Sequence, residues 1–200
     1  MSTTGLDRRT ALRQLALGGA GAFVLPAWVD ALTDRAAEHA HAFHAQAARA
    51  TAPWKPKVLS AHQNATVVEL TELIIPQTDT PGARAARVNE FVDGTLADAP
   101  AAERERFLAG LAWLDARSTR DYGAPFVKAA PAQQHALLTT LAAPEALSGP
   151  DKEGAEFFVA IKSLTIVGYY TSEIGARELG DDLQVAFAEF TGCTHPHHQQ

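Results

Sequence analysis

An all-α fold is what this sequence of 200 residues predicts, and three observations predict it. Apolar residues recur at the three- and four-residue spacing of a single helix face in segment after segment. Those segments are punctuated at Pro76, Pro81-Gly82, Pro100, Gly123, Pro131, Pro144 and Gly149-Pro150, where proline and glycine end helices or turn the chain. No stretch of useful length alternates apolar and polar residues as a half-buried strand does. The expected plan is a small irregular helical domain over residues 57–195. A leader over 1–32 and an Ala/His-rich helical linker over 33–56 precede it, and a flexible tail at 196–200 follows.

In the leader, Arg8-Arg9 precedes Thr10-Ala11-Leu12-Arg13, and the run from Leu15 to Leu25 is uncharged, rich in Ala, Gly and Leu, and broken by Pro26. This order of basic pair and weakly apolar run is similar to a twin-arginine export signal. The run is too short to span a bilayer, which takes roughly 20 apolar residues, and Gly18-Gly19 and Gly21 make it a poor packed helix. Arg8 and Arg9 are therefore the expected export determinants, read by the twin-arginine translocase. The expected location is the periplasm or the outer face of the cytoplasmic membrane.

The next segment, Thr33 to Ala52, is Ala-rich and carries His39, His41 and His44. His41 and His44 share a helix face while His39 points elsewhere, so a three-histidine metal site is not expected from this segment alone. It reads as a solvated helix or linker, closed by the helix-breaking Pro53-Trp54-Lys55-Pro56.

Ser60 with Gln63 three residues on has the form of a capping box, which satisfies orphaned N–H groups at a helix start. Val67, Leu70 and Ile74 then lie on one face, and Pro76 stops the helix. Gln77 to Thr80 forms a stiff polar elbow, and Pro81-Gly82 supplies a second turn in which glycine tolerates φ > 0. Val88, Phe91, Val92 and Leu96 mark the following helix. Pro100 opens another, with Phe107, Leu111 and Leu114 on its stripe and Trp113 off it, ending near Tyr122-Gly123. Pro131 at a first-turn position leads to Leu137, Leu138 and Leu141. From Asp151 to Val167 the helix is apolar nearly all round, because Phe157, Ile161 and Leu164 share one face while Phe158 and Ile166 fall away from it. Such a helix is either central or lends a face to another protein. Gly168 is expected to interrupt it, and the amphipathic rings of Tyr169-Tyr170 are of the kind found at interfaces.

Composition narrows the function. With 46% hydrophobic residues the chain can bury a real core, and a formal net charge of −6 argues against nucleic acid. Cys193 is the single cysteine, so no internal disulfide forms. No G-x-G-x-x-G follows a strand, and neither a phosphate-binding loop nor a G-x-S-x-G elbow occurs. No flavin site of its own is expected. Glu69, Glu72 and Asp79 cluster at the elbow but read as solvated faces. Cys193, His195, His197 and His198 include zinc-type ligands, yet so close a spacing beside Gly192 and Pro196 is expected to give a flexible tail with weak metal affinity.

The run Leu70-Thr71-Glu72-Leu73-Ile74-Ile75-Pro76-Gln77-Thr78-Asp79-Thr80-Pro81-Gly82-Ala83, with Val88 and Phe91 after it, resembles the opening of the gluconate 2-dehydrogenase subunit 3 family. A second block matches from Phe157-Phe158 through Lys162, Leu164-Thr165, Gly168 to Gly175 and Leu179-Gly180 to Gly192-Cys193. The resemblance implies a non-catalytic small subunit of a bacterial flavin-dependent sugar or alcohol dehydrogenase. The cofactor, FAD, would then sit in a large partner subunit of the GMC type, beside which a cytochrome c subunit is a further partner the resemblance allows. The candidate partner interface is Trp113, Phe158, Tyr169, Tyr170 and Cys193. The alternative is a free-standing exported helical protein that binds metal or acts as an enzyme through its eight histidines.

Overall fold

The computed structural model describes residues 26–49 and 53–180. Arg8, Arg9, Cys193 and the terminal histidines lie outside the described residues. Within them all regular structure is helical: α1 (Ala27–Arg49), α2 (Ala61–Ile74), α3 (Val88–Asp98), α4 (Ala101–Tyr122), α5 (Pro131–Ala142), α6 (Lys152–Tyr170) and α7 (Glu173–Glu178), with 3-10 turns at Phe126–Lys128 and Pro144–Leu147. None of the described helices is long and apolar enough to cross a membrane.

Helix α6 is the central element, packed against α1 to α5 and α7. Its interior residues Phe157, Ala160, Ile161, Leu164 and Tyr169 are all but fully buried, and Phe158 is buried too. It runs through Gly168 to Tyr170 rather than stopping. The reason is packing: a Cβ at position 168 would lie 2.5 Å from Cδ1 of Phe91, so the glycine seats a ring while its backbone stays helical.

Helix α1 is not a solvated linker. Val29, Leu32, Ala36 and Ala40 form a fully buried stripe. Trp28 Nε1 donates to Glu156 at 3.2 Å near one end, and His44 meets Thr171 near the other. The two contacts keep the same order along both helices, so α1 runs parallel to α6. Helix α4 runs antiparallel to α6, with Gly110 against Phe157 and Trp113 against Gly154.

Several expected boundaries are present for the expected reasons. Ser60 caps α2, its hydroxyl accepting from Gln63 N while Gln63 Oε1 accepts from Ser60 N at 2.9 Å. Gly123 ends α4 at φ 77°, Pro131 begins α5, and Ala130 N donates to Gln133 Oε1. The connection between α2 and α3 is longer than a four-residue elbow. After the polar bend a turn over 83–87 intervenes, and Arg87 takes the left-handed conformation at φ 55°. Gly82 does not. It is required instead because an added Cβ would lie 2.5 Å from the Gln77 nitrogen and 2.6 Å from Glu72 Oε1.

Candidate functional site

The elbow is held from beneath by carboxylates. Backbone N–H groups in an irregular segment have no helical partner and need one from elsewhere. Glu72, at the end of α2, accepts from Gln77 N at 2.8 Å and from Arg84 N at 2.9 Å, so one side chain closes both limbs of the bend. It is a structural clamp, not a solvated face. Glu178 of α7 reaches the same bend, accepting from the Thr80 hydroxyl at 2.8 Å. The fully buried Tyr169 joins them, its hydroxyl 2.6 Å from Pro81 O and 2.7 Å from the other Glu178 oxygen. Asp93 acts similarly one layer away. It is fully buried and accepts from Lys57 N, Val58 N and Leu59 N at 2.7–3.0 Å, pinning the segment that leads into α2. The residues that the bend presents outward, Pro76 to Asp79 and Pro81, are exposed.

Beside the elbow lies a cleft of about 220 Å³, lined by Phe43 and His44 of α1, Ala85 to Arg87, Glu90 of α3, and Ser172 to Ile174. An aromatic group forms its inner wall. His44 stacks on Phe91 at 5.5 Å and 4°, and Phe43 meets Phe91 edge-on at 5.4 Å. Two glycines make room for this group. A Cβ at Gly94 would strike Phe43 at 2.6 Å, as one at Gly168 would strike Phe91. Thr171 donates its hydroxyl hydrogen to Val167 O at 2.7 Å, so the 3.0 Å contact with His44 is an Nε2–H donation to the hydroxyl oxygen. Burial pushes the His44 pKa below the usual histidine value, with the nearby His41 adding to the fall and a backbone hydrogen bond to Gly168 opposing it. At the rim Arg87 Nε donates to Glu90 at 2.6 Å.

Of the expected interface residues, Phe158 and Tyr169 belong to this chain's own interior. The physical reason for Tyr169 is its doubly engaged hydroxyl, and for Phe158 its place in the apolar core. Trp113 and Tyr170 are half-buried. Trp113 lies against Gly154 and under the Arg117 guanidinium, 5.8 Å from the ring centre, and Arg117 also pairs with Asp121 and Asp151. The four described residues thus do not form one exposed patch, and Cys193 lies outside the described residues.

The sequence carries no motif at the cleft. His44 lies in an alanine-rich segment that reads as solvated, and Arg87 and Glu90 belong to no recognisable pattern. The one available signal was the spacing of Val29, Leu32, Ala36 and Ala40, which continues to Phe43. Among the described residues no cluster of three or more His, Cys, Asp or Glu side chains is placed to hold a metal ion.

A family model described as gluconate 2-dehydrogenase subunit 3 matches residues 61–190, from the capped start of α2 past the end of α7. No curated protein and no solved structure matches the chain.

Proposed function

This chain belongs to the gluconate 2-dehydrogenase subunit 3 family, and from that premise we propose that it is a non-catalytic small subunit that binds a large FAD-dependent sugar or alcohol dehydrogenase. It supports the folding and stability of that partner and carries it through the twin-arginine route. The observation that carries this reading is the family match over residues 61–190, which takes in both the braced elbow and the central helix. The sequence before α1 supports the export half of the proposal through Arg8-Arg9 and the weakly apolar run after them. The chemistry is consistent: a flavoprotein loaded with its cofactor in the cytoplasm must cross the membrane folded, and one leader serves a stable heterodimer. FAD belongs to the partner in this reading, and this chain contributes surface.

Within this chain Tyr169 and Phe158 are buried, whereas Trp113 and Tyr170 are half-buried. A stable interface takes roughly 800 Å² from each partner, and an exposed, braced elbow is the kind of loop that a rigid scaffold presents for recognition.

The test is co-expression of the full-length chain with a large FAD-dependent dehydrogenase subunit from the same genome. The expected result is co-purification in fixed stoichiometry and dehydrogenase activity in the periplasm. Replacing Arg8 and Arg9 by Lys keeps the charge but removes the guanidinium forks, so activity should stay in the cytoplasm. Normal export of the double-Lys variant would overturn the export role. Separate elution of the two chains would overturn the subunit role.

A further inference from the structure

We propose that His44 is a pH-sensitive latch that holds the C-terminal half of α1 on α3 and α6 while its imidazole is neutral and lets that half open when the imidazole takes a second proton. The inference concerns this chain alone and does not depend on the partner.

The latch stands on geometry. Towards the end of α1 the rings of Phe43 and His44 are seated on Phe91, with Gly94 against Phe43 and Gly168 against Phe91. The side-chain tie there is His44 Nε2–H to Thr171, whose own hydrogen is committed to Val167 O, and the backbone at Gly168 is a second polar neighbour. Neutral imidazole with its proton on Nε2 satisfies this arrangement. A second proton puts a full charge on a half-buried ring, and burying a charge without a counterion is costly.

Among the described residues no carboxylate is hydrogen-bonded to His44 or acts on it as a counterion. On α1 the nearest titratable group is His41, which repels a second positive charge. From the α3 side Arg87 and Glu90 face the cleft, but they are paired with each other. From α7 Glu173 faces it and is paired with Arg177. From α6 and the residue that caps it come the backbone at Gly168 and Thr171, and the former favours the charged form less than burial opposes it. The 220 Å³ cleft next to the ring gives it a way out to water.

The sign follows from linkage. An open, solvated His44 titrates near 6.5, and burial holds the docked one lower, so the open state binds more protons. Docking is therefore at full strength above pH 6.5 and weakens as the pH falls from 6.5 towards the docked value. Within that window the opening equilibrium rises by up to about tenfold per pH unit.

Amide exchange of the full-length chain tests this, with opening constants corrected for intrinsic exchange between pH 7.5 and 5.5. Residues 40–45 should lose protection by up to about tenfold per unit below pH 6.5, while Leu70 and Ile161 keep theirs. In H44F, which retains a ring but cannot titrate, the profile should be flat. A flat profile in the natural chain, or an unchanged slope in H44F, would overturn the latch. If H44F leaves the segment unprotected at every pH, the imidazole resonance of His44 in the natural chain decides. A midpoint below 6.5 upholds the proposal, and one at or above 6.5 overturns it.

Discussion

The elbow and the α4–α6 seam hold the same core together by opposite means. Around the elbow, irregular backbone is terminated by side-chain carboxylates: Glu72 takes two N–H groups and Asp93 takes three. Along the seam no backbone group needs help, because both helices satisfy their own, and the contact is ring on glycine. Phe157 lies over Gly110 and meets Phe107 edge-on at 5.2 Å, and Trp113 lies over Gly154. The difference teaches where specificity is stored. Irregular chain needs addressed polar partners, since each orphaned buried donor costs about 1–3 kcal/mol, whereas packed helices need only matching shape.

The largest effect should therefore come from the carboxylate that serves the most donors. Asp93→Ala is expected to cost about 3 kcal/mol or more, because three N–H groups lose their acceptor and the one at Leu59 is buried, out of reach of a replacing water. Asp93→Asn should fall between, keeping an oxygen for Val58 and Leu59 while its amide opposes the Lys57 N–H. Urea unfolding of the full-length chain measures both. Equal losses for Ala and Asn would mean that charge, not the count of acceptors, sets the scale.

Gly154→Ala probes the seam. Its Cβ would lie 2.1 Å from Trp113 Cζ3, so the indole must move. Because that ring is half-buried it can swing outward, and the expected cost is about 1–2 kcal/mol. Trp113→Ala in the same chain should remove most of the penalty, giving a coupling above about 0.5 kcal/mol. Asp93→Ala and Gly154→Ala, which share no partner, should add. Failure to add would join the two regions into one unit.

The two regions also differ in how far they were legible in the sequence. Helix faces were, since Val67, Leu70, Val88, Phe91, Leu111, Leu114 and Ile161 carry strong apolar contrast at helical spacing, and all are buried. Stops at Pro76 and Gly123 were, because their cause is local. The docking of α1 was not, because Ala36 and Ala40 are fully buried yet contribute little contrast to an alanine-rich segment. Nor were the roles of Glu72, Asp93 and Glu178 in the site. A carboxylate looks the same in sequence whether it faces water or backbone donors, and Lys57 lies 36 residues from Asp93. Tyr169 suits an interface as an amphipathic ring, yet its hydroxyl meets Pro81 and Glu178 inside the chain.

Ser60 gives the smallest effect and tests whether burial or the capping need itself sets the cost. Like Asp93 it serves a backbone donor, accepting from Gln63 N at 3.3 Å, but the contact is exposed. Water can take over when the hydroxyl is lost, and Gln63 Oε1 still accepts from Ser60 N, since that half of the box needs no serine side chain. Ser60→Ala should therefore cost about 0.5–1 kcal/mol, the low end of the range for lost caps. Ser60→Asp should recover it, because a carboxylate caps and also complements the positive end of the helix. Matched unfolding curves for the three chains check the order. A loss from Ser60→Ala as large as that from Asp93→Ala would show that the capping of an irregular segment, buried or not, governs this half of the molecule, and the contrast drawn with the seam would have to be restated on that basis.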